Sequence, residues 1–258
     1  MTKTTYSVSD RVAVVTGASR GIGQTIAERF VKDGADVVLC SRSQADVDEV
    51  AASIAENGTG DTHPVECDVT DRESVDALVR ATIEEFDSFD ILVNNAGGSF
   101  ASEFEKLSEN AWKTIVDINL HGTFNCLQSA GEVMRDGDGG VIVNIASNAG
   151  LRGAPALSHY GAAKAGVINL TATLAHEWAG DDVRVNAIAP GVVATPGIEE
   201  QLDISATSID RDSVDRRIGT TDEIADVVQF LASPAASYVI GETIPVRGVP
   251  QIDGIGTP

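Results

Sequence analysis

The sequence predicts one α/β domain in which about seven parallel strands form a doubly wound sheet with helices on both faces. Three observations lead there. Short apolar, β-branched runs alternate with helix-periodic segments along almost the whole chain, the helices carry recognisable cap signals, and a glycine-rich turn joins the first strand to the first helix. Right-handed crossovers then place the carboxyl ends of the strands along one edge of the sheet, where such folds bind their ligands.

The elements follow in order. Arg11 to Thr16 is the first strand, and Gly21 to Lys32 a helix that Gly34 can close at its C′ position. Asp36 to Ser41 is a second strand, followed by a helix through Glu49 and Ile54, and His63 to Cys67 a third strand. Thr70 and Glu73 have capping-box spacing ahead of a helix with Val75, Leu78, Val79, Thr82 and Phe86 on one face. Phe89 to Asn94 and Val141 to Ser147 are nearly continuous apolar runs, as parallel strands covered on both faces require. Between them runs a helical stretch from about Ser108 to Met134; a helix from His159 to Trp178 and a strand from Val183 to Ile188 come next. Thr195 to Arg217 is polar and weakly periodic, and reads as a mobile lid or a pair of short helices. Thr220 and Glu223 make a second capping-box pair before a helix through Leu231. Glu242 to Val246 is a last strand, placed at an edge by Pro245. No repeat or interdomain linker interrupts the pattern, so residues 1–258 read as a single domain with a substrate lid at about 195–217.

Bulk composition excludes several function classes. Hydrophobic residues make up 43% and charged residues 22%, a globular balance, and no apolar run approaches membrane-span length. The polar N-terminus has no signal-peptide core, which points to the cytoplasm. Cys40, Cys67 and Cys126 lie far apart in apolar segments, the pattern of buried free thiols in a reducing compartment, and no His/Cys/Asp cluster has metal spacing. Thirty-nine acids against eighteen bases give a net charge of −21, which makes nucleic acid and anionic membranes poor partners. Acidity joined to a lysine count of five is the signature expected of a salt-adapted, halophilic protein, in which screening relieves carboxylate repulsion.

Gly17, Gly21 and Gly23 stand between the first strand and the first helix. Absent side chains let backbone approach a pyrophosphate, which the helix N-terminus stabilises through its free amides and dipole. An NAD-specific site usually places a carboxylate at the end of the second strand; here that strand ends Cys40-Ser41-Arg42, and Arg20 lies inside the loop. Two guanidiniums beside the adenosine ribose pair with a 2′-phosphate, so the expected cofactor is NADP(H) in preference to NAD(H).

Tyr160 and Lys164 lie one helical turn apart, thirteen residues after Ser147. An ammonium beneath a phenol stabilises phenolate and lowers a pKa that is ordinarily about 10. Together with Asn94-Asn95-Ala96-Gly97, Asn119 and Pro190-Gly191-Val192-Val193-Ala194-Thr195, these residues closely resemble the motifs of the short-chain dehydrogenase/reductase family, over residues 10 to 247. The resemblance implies a Rossmann-type fold and specific roles. Tyr160 exchanges a proton with the carbonyl or alcohol oxygen, and Ser147 hydrogen-bonds the same oxygen. Lys164 lowers the Tyr160 pKa and holds the nicotinamide ribose, while Asn119 holds a water linking Lys164 to solvent. Gly17, Ser19, Arg20, Ile22 and Gly23 cradle the phosphates. Ser41 and Arg42 stand at the adenosine ribose, Asp68 and Val69 flank the adenine, Asn95 and Gly97 lie at the neighbouring ribose and backbone, and Val193 and Thr195 fix the carboxamide. His159, beside Tyr160 but about 100° around the helix, is given a structural role, as are His63, His121 and His176.

One departure stands out. The family's last strand often closes in a V-D-G-G-like run, whereas this chain has Val246-Arg247-Gly248-Val249-Pro250 and an eight-residue tail. Relatives assemble through that region, so a homo-oligomer, tetramer or dimer, is expected. The overall pattern, including Ala18-Ser19-Arg20, is most like the 3-oxoacyl-thioester reductases, with the thioester on an acyl carrier protein or CoA. An enoyl-thioester reductase and a sugar or secondary-alcohol dehydrogenase of the same family are the alternatives. A non-catalytic NADP-binding redox sensor would show a broken Ser/Tyr/Lys set, and here the set is complete. Arg211, Arg216 and Arg217 in the lid are interspersed with acids, so local pairing is expected there rather than contact with a carrier.

Overall fold

The structure is a computed structural model describing residues 6–215 and 217–249; Arg216 and the tail beyond Val249 lie outside the described residues. Seven strands form one parallel sheet: β1 (Val12–Thr16), β2 (Asp36–Ser41), β3 (Thr62–Glu66), β4 (Ile91–Asn94), β5 (Gly140–Ile145), β6 (Val183–Pro190) and β9 (Thr243–Val246), in the order β3-β2-β1-β4-β5-β6-β9. A separate two-stranded pair joins β7 (Val193–Ala194) to β8 (Gly219–Thr220). The strand order reverses between β1 and β4, which opens a crevice at their carboxyl ends. Pro64 and Pro245 lie in the two edge strands, where a missing N–H costs least.

Period-two alternation explains why the strands read as unbroken apolar runs. Ala13, Val15, Val37, Leu39, Ile91 and Val93 enter one core, with α1 (Gly21–Asp33), α2 (Gln44–Ala55) and α9 (Thr221–Ala232) over it. The residues between them, Val14, Val38, Cys40 and Leu92, enter the other, against α3 (Arg72–Phe86), α5 (Gly122–Asp136) and α7 (Ser158–Glu177). Gly34 closes α1 in the left-handed conformation at φ 95°, as its position after Lys32 and Asp33 anticipates.

The two T-x-x-E pairs part company. Thr220 and Glu223 form the complete capping box of α9, whereas Thr70 gives its hydroxyl to Asp68 at 2.7 Å and Asp71 caps α3. The expected box at Thr70 is therefore corrected: the Asp71 carboxylate accepts the Glu73 N–H and caps the helix instead. The long helical stretch is also divided. α4 (Glu109–Val116) passes into α5 through a π-helical turn, Asp117–His121, with Asn119 inside it. The segment expected as a lid or a pair of short helices carries α8 (Pro196–Leu202) and a 3₁₀ turn, Ala206–Ser208. Of the described residues, no helix is long and apolar enough to cross a membrane.

Candidate active site

The glycine turn is locked by steric fit. Gly17 and Gly21 take φ of +64° and +60°, and a Cβ on Gly23 would stand 2.4 Å from the Gly17 carbonyl oxygen. Below it, the Thr16 hydroxyl accepts the backbone N–H of Asn95 and of Ala96 at 3.0 Å each. The Asn95 amide donates back to the carbonyls of Thr16 and Gly17 at 2.9 and 3.0 Å. Asn95 thus staples β4 to the turn while also lining the crevice. Arg20 precedes α1 in extended backbone and its side chain makes no cap, so the first-turn amides face outward.

The crevice encloses about 540 Å³. Gly17, Ser19, Arg20, Ile22, Ser41, Arg42, Asp68, Val69, Asn95, Gly97, Asn119, Tyr160, Lys164 and Thr195 all line it. Gly23 lies just behind the turn, and Ser147 and Val193 are outside the lining: Ser147 hydrogen-bonds Tyr160, and the Val193 side chain is buried in the core. Arg20 and Arg42 are exposed, and neither meets a carboxylate among the described residues. The cradle and the two open guanidiniums fit a phosphorylated dinucleotide.

Ser41 closes its own turn, its hydroxyl donating to the Ser43 carbonyl at 3.1 Å. Asp68 accepts both the N–H and the hydroxyl of Thr70, and the Val69 carbonyl accepts the Asn125 amide at 2.9 Å. Thr195 packs across from the glycine turn; a Cβ on Gly21 would meet its methyl at 3.4 Å.

At the inner end, β5 and α7 bring three groups together. Ser147 caps α6 (Asn148–Leu151), its hydroxyl accepting the Ala149 N–H at 3.1 Å. Lys164 is buried, its Nζ donating to the Ile145 carbonyl at 2.7 Å and standing 5.8 Å from the Tyr160 ring centroid. The Asn119 amide donates to the Gly98 and Ile115 carbonyls at 2.8 and 2.9 Å, while its oxygen accepts the Gly98 N–H at 3.3 Å. A Cβ on Gly97 would fall 2.5 Å from that oxygen and 3.4 Å from Lys164 Nζ, so only glycine permits this approach.

The expected pKa pattern is corrected. Burial pushes the Tyr160 phenol up, with the Ser147 hydrogen bond a smaller, opposing influence. The Lys164 N–H is directed at a backbone carbonyl, and burial pulls the lysine itself down to about 8. His159 is wholly buried against Phe100, ring centroids 4.6 Å apart, and neither ring nitrogen has a hydrogen-bond partner among the described residues.

Sequence reasoning missed three features. Cys40 on β2 and Cys67, just after β3, form a thiol pair whose interaction raises Cys40 and lowers Cys67, and Cys67 lines the crevice. An amide relay runs beneath the site, Asn94 to Asn144 at 2.9 Å and Asn144 to Thr171 at 3.0 Å; a polar residue amid the apolar run Val141–Ile145 was its only signal. Arg247 reaches Asn148, a contact with no local signature.

Comparison with known proteins agrees with this geometry. Residues 17–248 match the family model described as enoyl-(acyl carrier protein) reductase. A 3-oxoacyl-[acyl-carrier-protein] reductase of Synechocystis sp. is 38% identical over 94% of this chain and 97% of its own length. A peroxisomal 2,4-dienoyl-CoA reductase of Rattus norvegicus is 41% identical over 93% of this chain and 84% of its own. The crystal structure of a 3-oxoacyl-[acyl-carrier protein] reductase with bound NAD from Brucella melitensis superposes with a TM-score of 0.82 at 36% identity, covering 94% of this chain and 92% of that one.

Proposed function

The chain belongs to the short-chain dehydrogenase/reductase family of oxidoreductases, and on that premise we propose that it is an NADPH-dependent reductase of 3-oxoacyl thioesters. The observation that carries the reading is the convergence of Tyr160, Lys164 and Asn119 on one crevice, with Ser147 bonded to Tyr160 just outside its lining, and at the other end a phosphate cradle with two arginines that meet no carboxylate among the described residues. The thioester substrate is supported by the names of the Synechocystis and Brucella relatives. The preference for NADPH is supported by Arg20 and Arg42, although the Brucella structure holds NAD.

A bound NADPH supplies the hydride for the carbonyl carbon. Tyr160, whose phenol burial pushes up, donates its phenolic proton to the carbonyl oxygen. Ser147 offers a second donor to the same oxygen and so stabilises charge developing there. Lys164, with a pKa near 8, is poised to pass a proton toward Tyr160, and Asn119, clamped by Gly98 and Ile115, holds the floor beside it. The cofactor-facing groups are Gly17, Ser19, Arg20, Ile22, Arg42, Asp68, Asn95, Gly97 and Thr195. Exposed Phe104, Phe124 and Tyr238 offer apolar surface for a homo-oligomer to cover. The acidic surface fits activity in high salt.

The test follows absorbance at 340 nm with NADPH and NADH against 3-oxoacyl thioesters, enoyl thioesters and simple ketones, in dilute buffer and in molar potassium chloride. The 3-oxoacyl thioester with NADPH is expected to turn over fastest, and faster in salt. Tyr160→Phe is expected to lower kcat by roughly a hundred- to ten-thousandfold while still binding NADPH. Unchanged turnover in that variant overturns the mechanism. Turnover restricted to enoyl thioesters favours the activity described for the matching family model. Unfolding in salt, with full activity in dilute buffer, removes the salt-adapted reading.

A further inference from the structure

The cleft assigns no task to Arg247, although it stands where the family pattern usually carries an aspartate. β9 is an edge strand beside β6, so the residue after it emerges at the carboxyl end of the sheet, on the ligand side. The Gly191 N–H donates to the Val246 carbonyl at 2.8 Å, and a Cβ on Gly191 would stand 3.0 Å from that of Arg247. The two segments therefore hold each other in register. From there the half-buried guanidinium reaches across to Asn148, Nη1 donating to Oδ1 at 2.8 Å. Asn148 directly follows Ser147, the hydroxyl assigned to the carbonyl oxygen.

Beside Arg247 lies a second cavity of about 510 Å³ that shares no lining residue with the cofactor crevice. Val192, Val214, Ile224, Val246 and Val249 give it apolar walls, and Val192 is the residue before Val193 of the carboxamide-fixing motif. Three guanidiniums and two carboxylates also face it. Arg217 is clasped by Glu223 through two bonds, at 2.6 and 2.9 Å, and Arg211 donates to Asp226 at 3.1 Å. Asp215 accepts the Ser213 hydroxyl at 3.1 Å and makes no ion pair with Arg247. Arg247 has only a neutral amide as partner among the described residues. With 39 acids to 18 bases in the chain, an arginine left without a carboxylate in a cavity stands out. Arg20 and Arg42, unpaired in the same way, mark the place read as the 2′-phosphate site.

We infer that Arg247 and this cavity form a subsite for an oxyanion, carboxylate or phosphate, carried by the carbonyl substrate, with the valine walls covering the apolar segment that joins the anion to the reacting carbon. Asn148 holds one side of the guanidinium fork, and the other side offers paired N–H donors suited to either oxyanion. The inference rests on the carbonyl-reductase reading and narrows its substrates to those with a negative group on the lid side.

The experiment compares kcat/KM for three thioesters at fixed ionic strength. These are neutral 3-oxobutanoyl-N-acetylcysteamine, the 3-oxoglutaryl analogue with a terminal carboxylate, and 3-oxobutanoyl-CoA, which carries phosphates. Wild type is expected to favour a charged substrate over the neutral one at least tenfold. Arg247→Gln, which keeps a donor for Asn148, is expected to cut that ratio about tenfold, mainly through KM, and Arg247→Lys to restore part of it. Whichever charged thioester responds identifies the anion's source. Equal losses on all three substrates overturn the inference, because Arg247 would then only position Ser147 through Asn148; so does a wild type without charge preference. Absence of any turnover sinks the reductase reading instead, and calorimetric titration with the 3-oxoglutaryl thioester then decides the subsite. Binding lost in Arg247→Gln supports it, and equal binding in both proteins overturns it.

Discussion

On the glycine-turn side of the crevice an added methyl group has nowhere to go: a Cβ at Gly17 or Gly23 meets backbone atoms within 3 Å. On the lid side, a Cβ at Gly197 meets nothing within 4 Å, and α8 buries no residue. The forces differ as well. Thr16, Asn95 and Ala96 are tied by neutral, part-buried hydrogen bonds, whereas residues 211–226 are held by part-exposed ion pairs, Arg217 with Glu223 and Arg211 with Asp226. Exposed pairs contribute about 0–1 kcal/mol and weaken with salt. The contrast gives a rigid frame to the part proposed to hold the dinucleotide. The adjustable contacts fall on the part proposed to admit the substrate.

Gly23→Ala is the strongest way to test this contrast. Its Cβ would lie 2.4 Å from the Gly17 carbonyl oxygen, and overpacking of this kind costs about 1–3 kcal/mol, so thermal unfolding should move down clearly and dinucleotide affinity with it. Gly197→Ala should leave both nearly unchanged; equal responses in the two variants would erase the distinction. Next in size, Arg42→Asp is expected to weaken NADPH binding roughly ten- to a hundredfold with little loss for NADH, measured by fluorescence titration. An untouched NADPH affinity would remove the 2′-phosphate assignment.

The smallest effect belongs to the lid. Hydrogen bonding from Arg217 holds Glu223 down to about 2, against its ordinary value of 4.5. A depressed carboxylate contributes stability above its unfolded pKa and loses it as pH falls through the folded one. Glu223→Gln should therefore be less stable than wild type by about 1 kcal/mol at neutral pH, and the gap should close between pH 4.5 and 2. A gap that does not change with pH would mean the pair does not act through charge.

How much was legible follows the range of the forces involved. Strand and helix positions were readable because apolar periodicity and cap signals act over a few residues; Gly34 and the Thr220–Glu223 box are examples. Tyr160 and Lys164 were readable as one helical face, and Ser147 and Asn119 through motif order. The Thr70 box failed because the helix starts one residue later, where the Asp71 carboxylate takes the Glu73 N–H. The π-helical turn at Asn119 left no periodic trace, since one extra residue in a turn shifts the pattern without breaking it.

By itself, the sequence determined the doubly wound sheet, the glycine turn and the family motifs from which the reacting groups are proposed. Each of these is written in spacing or in residue type, which a linear chain carries intact. Tertiary structure alone decided how those groups are tuned. Burial raises Tyr160 and lowers Lys164, whose N–H turns to Ile145; Cys40 finds Cys67, and Arg247 finds Asn148, 99 residues away. Desolvation and long-range pairing depend on what surrounds a side chain in space, and that environment exists only once the sheet has closed around it.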